Sequence, residues 1–176
     1  MRLTREYPVV RKSVEPHPQI AAVLIVLYPK HNKTHVLMIK RGLDLKVHPG
    51  EIAFPGGVYK EEDEHLLGTA LRETHEELGL ELEENKVVAC LPTVHTLTGF
   101  EVTPFAAILP NVPQYNDESH EVDEVLEIPL TSLLSTQQRD VGFKPSEEMV
   151  VYWHRHHRIW GASAKILQHI EKLCGA

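Results

Sequence analysis

The sequence predicts an α/β (α+β) fold in which helices cover both faces of a mixed central sheet. Three observations carry this expectation. Short runs of β-branched and aliphatic residues recur along the chain. Two longer segments carry a helical period. The two kinds of segment alternate without the strict strand–helix–strand order of a parallel fold. A chain of 176 residues suits one domain with a sizeable core.

Residues 1–19 hold Pro8, Pro16 and Pro18 without periodicity and read as an extended arm, followed by a single domain over residues 20–176. Ile20–Tyr28 and His35–Ile39 are apolar runs joined through Pro29–Lys33, the pattern of a hairpin with a longer loop. A loop rich in Gly and Pro spans Arg41–Gly57 and encloses a short strand, Ile52–Phe54. A helix is expected over Asp63–Leu78, with Asp63 as its N-cap and Gly79 as the glycine that ends it. Strands follow at Val87–Leu91, Val102–Leu109, Val122–Ile128 and Met149–Trp153, and Pro129 opens a short helix. The last helix, Ala162–Cys174, puts Ile166, Leu167, Ile170, Leu173 and Cys174 on one face.

Composition excludes several classes. The longest apolar run, Ile20–Tyr28, is far shorter than the roughly twenty residues of a membrane span, and no apolar leader follows the early Arg and Lys residues. A net charge of −7 argues against sequence-independent nucleic-acid binding. Cys90 and Cys174 are far apart with no C-x-x-C, as expected of free thiols in a reducing cytoplasm. Twelve histidines make solubility near pH 6 sensitive to protonation.

The informative segment is Arg72-Glu73-Thr74-His75-Glu76-Glu77-Leu78-Gly79-Leu80. On a helical wheel Leu67, Ala70, Leu71, Thr74 and Leu78 form a core-facing stripe. Glu73, Glu76 and Glu77 fill a second arc of roughly 100° beside it. Like charges at these spacings repel, and the helix dipole disfavours them near the C-terminus. Arg72 offsets part of that through Glu76, and a divalent cation accounts for the remainder, since hard cations take several oxygen ligands. A solvated acidic face is the plainer alternative. Upstream, Phe54-Pro55-Gly56-Gly57 reads as a tight turn whose glycines let backbone approach a ligand, with a carbonyl there as one further ligand.

At these residues the chain resembles the Nudix hydrolases, whose box reads G-x5-E-x7-R-E-U-x-E-E-x-G-U with U apolar. Arg72, Glu73, Glu76, Glu77, Gly79 and Leu80 match in place, while Thr74 stands at the first U. The spacing from Gly57 to Arg72 is one residue longer than the general box, with the extra residue before Glu64. The coenzyme A pyrophosphatase branch has this longer spacing and an upstream pattern that Leu37, Arg41, Gly50 and Phe54–Gly57 match. Met38, Ile39, Gly42 and Lys46 depart from it. Residues 99–104, 124–130 and 157–162 extend the resemblance toward the C-terminus.

The resemblance implies a Nudix-type α/β/α sandwich that hydrolyses a nucleoside diphosphate linked to another moiety, with coenzyme A as the substrate of this branch. Carried over by position, Glu73 and Glu77 are the ligands of Mg²⁺ or Mn²⁺, with Glu76 and the Gly57 carbonyl next, and Arg72 orients the glutamates. Glu76 and the distal Glu121 are alternative general bases. Arg41 and Lys46 suit a substrate phosphate, Arg41 in bidentate fashion. ADP-ribose, dinucleoside polyphosphates or oxidised nucleotides are the alternative substrates, and a non-catalytic nucleotide sensor is the alternative outside enzymes. The arm is compatible with a homodimer but does not require one.

Other features read more plainly. His154–Arg158 is expected along an exposed, partly ligand-facing strand and turn, and Trp153 and Trp160 as packing residues. His75 is expected at the surface, and Asp117–Glu124 as a solvated loop and strand start that also holds Glu121.

Overall fold

The computed structural model describes residues 7–10, 17, 19–116, 118–141 and 149–174. Strands β1 (Ile20–Lys30), β2 (Lys33–Arg41), β3 (Ile52–Ala53), β4 (Gly56–Val58), β5 (Val87–Cys90), β6 (Val94–His95), β7 (Glu101–Ile108) and β8 (Val122–Pro129) form an eight-stranded sheet. A smaller sheet joins β9 (Gln138–Arg139), β10 (Val150–His154) and β11 (His157–Ile159). The α-helices are α1 (Leu66–Leu78), α2 (Leu130–Leu134) and α3 (Gly161–Cys174).

The large sheet is mixed because β1 runs parallel to β7 and antiparallel to β2 and β4. Strand β8 closes on β2, and β5 and β6 on β7, all antiparallel. Period-two alternation along β1 explains the layers. Ala21, Ile25 and Leu27 face one core with Leu130 and Leu133 of α2 and Ile166, Leu167 and Ile170 of α3. Ala22, Leu24, Val26 and Tyr28 face the other core with Leu67, Ala70 and Leu78 of α1. A strand buried on both sides reads as a continuous apolar run, as Ile20–Tyr28 does. The result is the expected α/β/α sandwich.

Several local expectations change. The β1–β2 connection is a two-residue turn, His31 and Asn32 at φ 49° and 58°, with Lys30 paired to Lys33. Two left-handed residues in succession make the tight hairpin turn that fits strand twist, so both strands run longer than expected. The first long helix starts at Leu66, and its N-cap is His65, whose Nδ1 accepts the Gly68 N–H at 3.0 Å. Asp63 instead ends a 3₁₀ turn, Glu61–Asp63, and faces inward. The bend in Phe54–Gly57 falls at Phe54–Pro55, and both glycines already belong to β4.

Most of the expected arm over residues 1–19 lies outside the described residues. Within it, the Tyr7 carbonyl accepts the Cys90 N–H at 3.2 Å, laying Tyr7 beside β5 of its own chain. Asp117 of the acidic stretch also lies outside the described residues. Among the described residues no helix is long and apolar enough to cross a membrane.

Candidate active site

Helix α1 presents the carboxylates because its other face is anchored. Leu67, Ala70, Thr74 and Leu78 are buried, and Gly79 at φ 59° ends the helix with its N–H on the His75 carbonyl. Thr74 fits an apolar position because its hydroxyl donates to the Ala70 carbonyl at 2.7 Å, which hides the polar atom within the helix. Leu66, seven residues before Glu73 and so on the same side of the helix, packs half-buried against the α1-side core.

Arg72 organises the acidic face. Its Nε and Nη2 donate to the two oxygens of Asp63 at 2.5 and 2.9 Å. Its Nη1 donates to Glu73 at 2.6 Å and to Glu76 at 3.1 Å, and Nη2 also reaches the Val58 carbonyl at 3.2 Å. These bonds, the one to Asp63 foremost, hold the guanidinium above its ordinary pKa. Asp63 also accepts from the Thr69 hydroxyl and the Lys60 N–H, both at 2.9 Å. Burial alone would raise the Asp63 pKa, but bonds from Arg72, Lys60 and Thr69 outweigh it and hold the carboxyl below the usual range. Sequence reasoning missed this role and offered Asp63 as a cap. The local signal was Thr69 alone, three residues before Arg72 on the same side of the helix, because Asp63 lies outside the helix and follows no helical period.

Glu77 is the buried member of the trio, with a side chain only 2% exposed. Its Oε2 accepts the Gly56 N–H at 2.9 Å, and its Oε1 lies 3.9 Å from Nη1 of Arg41. Burial pushes its pKa up to about 8, against the pull of Gly56 and Arg41 and with the help of Glu73 and Glu121. Glu73 packs against β4 so closely that a Cβ on Gly57 would overlap its carboxylate. Glycine is needed there for close approach. Gly56, at φ 153°, has the Ala22 carbonyl where its Cβ would stand.

Two hollows flank this group. A recess of about 400 Å³ is lined by Glu76, Glu77, His75, Asn116, His120 and Glu121, so both candidate bases face the same space. On the far side of the glycines a cleft of about 910 Å³ opens, bordered by Arg41, Gly56 and Gly57 at its inner end. Arg41 Nε is buried with no hydrogen-bond partner among the described residues. Lys46 is exposed and lines neither hollow. Gly42 has a steric reason, since a Cβ there would stand 2.8 Å from the His120 carbonyl oxygen, beside Glu121.

The histidine tract follows a strand and turn as expected, but His157 is buried rather than exposed. His154 and His157 pair across the β10–β11 hairpin, with Arg155 and His156 exposed at its turn. His157 is buried, its Nε2 3.4 Å from Glu124. Trp153 and Trp160 are half-buried, and Trp160 lines the large cleft with Arg158 stacked 5.5 Å over its ring. His75 is exposed as expected.

The donor set suits a hard divalent cation. It is all oxygen, and Glu77 is a buried carboxyl whose ionisation is opposed by two neighbouring acids, a deficit of positive charge that a cation would fill. In this structure Glu73 is turned to Arg72 and Glu77 to Gly56, and no cluster of three or more acidic, His or Cys residues among the described residues closes around one point.

Comparison with known proteins agrees with the geometry. Residues 18–170 match the NUDIX domain family. The chain belongs to the Nudix hydrolases. It is 35% identical over 154 residues to a protein named uncharacterized Nudix hydrolase NudL of Enterobacter sp. strain 638, covering 85% of this chain and 80% of that one. It is 32% identical over 173 residues to a NudL protein of Photorhabdus laumondii, covering 96% and 92%. In fold it is similar to the NUDIX domain of Shewanella oneidensis NrtR, solved in complex with ADP ribose, at TM-score 0.64 and 15% identity over 89% of this chain and 88% of that one. This Nudix protein is therefore a pyrophosphohydrolase, of a family that generally uses divalent metal ions.

Proposed function

We propose that the enzyme hydrolyses coenzyme A, or a CoA derivative, to 3′,5′-ADP and 4′-phosphopantetheine. One observation carries the reading. Arg41, the last residue of β2 and part of the upstream pattern that resembles the CoA pyrophosphatase branch, stands where the carboxylate helix meets the large cleft, 3.9 Å from Glu77. A pyrophosphate held there has the acidic helix on one side and room for a bulky second moiety on the other.

In this reading Glu73 and Glu77 hold Mg²⁺ or Mn²⁺, with Glu76 and the Gly57 carbonyl as further ligands. When bound, the ion neutralises pyrophosphate charge and lowers the pKa of a water. Arg72, clamped by Asp63, sets the side-chain directions of Glu73 and Glu76. Arg41 meets the substrate phosphates through its planar fork, with Lys46 a more distant cation. Water forms a new P–O bond at one phosphorus while the bridging P–O bond breaks, and the bridging oxygen leaves with the other phosphate. The water's proton passes to Glu76 or Glu121, both of which line the small recess. The reaction needs a small-molecule nucleotide and no macromolecular partner. A cytoplasmic setting suits such a substrate and the two thiols.

The test is product analysis with CoA, ADP-ribose, diadenosine polyphosphate and 8-oxo-dGTP, each with Mg²⁺ and Mn²⁺, using Glu77→Gln as the blank. Preferential release of 3′,5′-ADP from CoA upholds the proposal. Preferential cleavage of another substrate keeps the carboxylate site and overturns the CoA assignment.

A further inference from the structure

We infer that Gly42 is a positioning residue: its missing side chain lets the turn before β8 close on β2, and that closure sets the Glu121 carboxylate where it receives the proton of the attacking water. The inference rests on hydrolysis at the carboxylate helix and not on which substrate is cleaved.

Strand pairing is irregular at this point. Lys40 pairs with Glu124 and Arg41 with Val122, so Asp123 has no residue opposite it and is held by an ion pair from Lys40. Such a bulge breaks the alternation of side chains, and bulges are frequent beside active sites. Leu126 and Ile128 face the core under α2 and α3. Strict alternation would put Val122 beside them, yet it faces the α1-side core. The chain before Val122 thus heads for the end of α1, where Glu121 lines the small recess with Glu76 and Glu77.

That chain is fastened to its surroundings at two glycines. The Asn116 N–H donates to the Leu78 carbonyl at 2.6 Å, and a Cβ on Gly79 would stand 3.2 Å from the Asn116 Cβ. The Gly42 N–H donates to the Glu121 carbonyl at 2.8 Å. The Val122 and Glu121 N–H groups close the turn on the carbonyl and hydroxyl of Ser119, at 3.1 and 3.3 Å. A Cβ on Gly42 would meet the His120 carbonyl oxygen at 2.8 Å. Gly42 is not in the left-handed region, so what it supplies is room and not a special backbone angle. The obstacle is a rigid peptide group, so a larger residue must push the His120–Glu121 peptide away from β2.

Of the two acids, Glu121 is the better placed to accept a proton. Glu76 already accepts a bond from Arg72 at 3.1 Å, which makes it the weaker base. No hydrogen bond reaches the Glu121 carboxylate among the described residues. Misplacing a catalytic group by about 1 Å can cost a hundredfold in rate, so a shift of roughly half that size costs about tenfold.

Steady-state kinetics on the full chain with Mn²⁺, using CoA and ADP-ribose in parallel, test this. On whichever substrate the parent cleaves, Glu121→Gln should lower kcat about a hundredfold. Gly42→Ala should lower kcat about tenfold and change KM by less than about twofold. In the Glu121→Gln background, Gly42→Ala should cause no further loss, since the group it displaces no longer acts. Ser119→Ala, which loosens the same turn without a clash, should behave alike with a smaller loss. Leu43→Ala, at 66% exposure beside Gly42 and outside both hollows, should match the parent. Parental kcat in Glu121→Gln, or losses that multiply in the double variant, overturn the inference. So does a Gly42→Ala chain that fails to fold, because the added methyl would then be resisted by both strands and not taken up at Glu121. Parental kcat in Glu121→Gln returns the proton to Glu76 and leaves hydrolysis at α1 intact. Cleavage of ADP-ribose with CoA untouched overturns the CoA reading alone.

Discussion

Arg72 grips both carboxylate oxygens of Asp63, at 2.5 and 2.9 Å, and the grip aims the same guanidinium at Glu73 and Glu76. Asp63 touches no hollow. It is a positioning residue, buried below Arg72 with its lone pairs filled by Thr69 and Lys60.

Asp63→Asn removes the charge that Arg72 answers. Unfolding in urea should show a loss of about 2 kcal/mol or more, as expected for one member of a largely buried pair. The sign of the pH effect follows from the depressed Asp63 pKa. Its stabilisation is present above the ordinary carboxylate pKa and is lost as pH falls through the lower, folded-state value. The variant should therefore show a smaller decline in stability on acidification below pH 4 than the parent protein.

Glu77 shifts the other way. With its pKa raised to about 8, the folded metal-free protein binds more protons than the unfolded chain between the ordinary carboxylate pKa and that value. Stability without metal should be highest below that window and fall as pH rises through it to about 8. Cation uptake at pH 7 should release about one proton, since a carboxylate ligand must be ionised. Calorimetric titration with Mn²⁺ in two buffers of different ionisation enthalpy measures the release, and Glu77→Gln should abolish it.

Close approach at Gly57 gives a separate test. Gly57→Ala forces the Glu73 carboxylate aside, so kcat should fall at least about tenfold, roughly 1.4 kcal/mol of barrier. Glu73→Gln keeps the shape and removes the charge, and its kcat should fall at least about a hundredfold. Equal activity in the alanine variant and the parent would sink the assigned role of Glu73.

Arg41 and Lys46 separate in the structure, and kinetics should separate them too. Arg41→Ala should lower kcat/KM by about tenfold or more, an effect of 1.4 kcal/mol. Arg41→Lys should restore little of it, because an ammonium lacks the planar fork. Lys46→Ala, at an exposed position outside both hollows, should change kcat/KM by less than about twofold, within the range of a surface charge.

The legible part of this protein lies in local periodicity. Ile20–Tyr28 announces a strand buried on both faces, and the spacing of Glu73, Glu76 and Glu77 places them on one side of a helix. Strands β4, β6, β9 and β11 escaped notice because two or three residues carry no period, and β4 holds two glycines with no strand propensity of their own. Asp63 was misread because an acid before a helix usually caps it, whereas the cap here is His65 and the acid's partner lies nine residues on. Burial of His157 depends on β11 folding back on β10, which its neighbours in sequence do not reveal. The large cleft is built from segments far apart in the chain, so no local pattern foretold it.

The bend that carries the glycines is fastened to β1, the strand sealed between both cores. Leu24 donates to the Pro55 carbonyl at 2.8 Å, and Val23, Ala22 and Ala21 pair with Gly56, Gly57 and Val58. Amides so placed open to solvent only when the whole molecule opens. On warming, catalysis should thus disappear together with the fold in a single transition, and slow amide exchange at Gly56 and Leu24 should report the global opening of the chain.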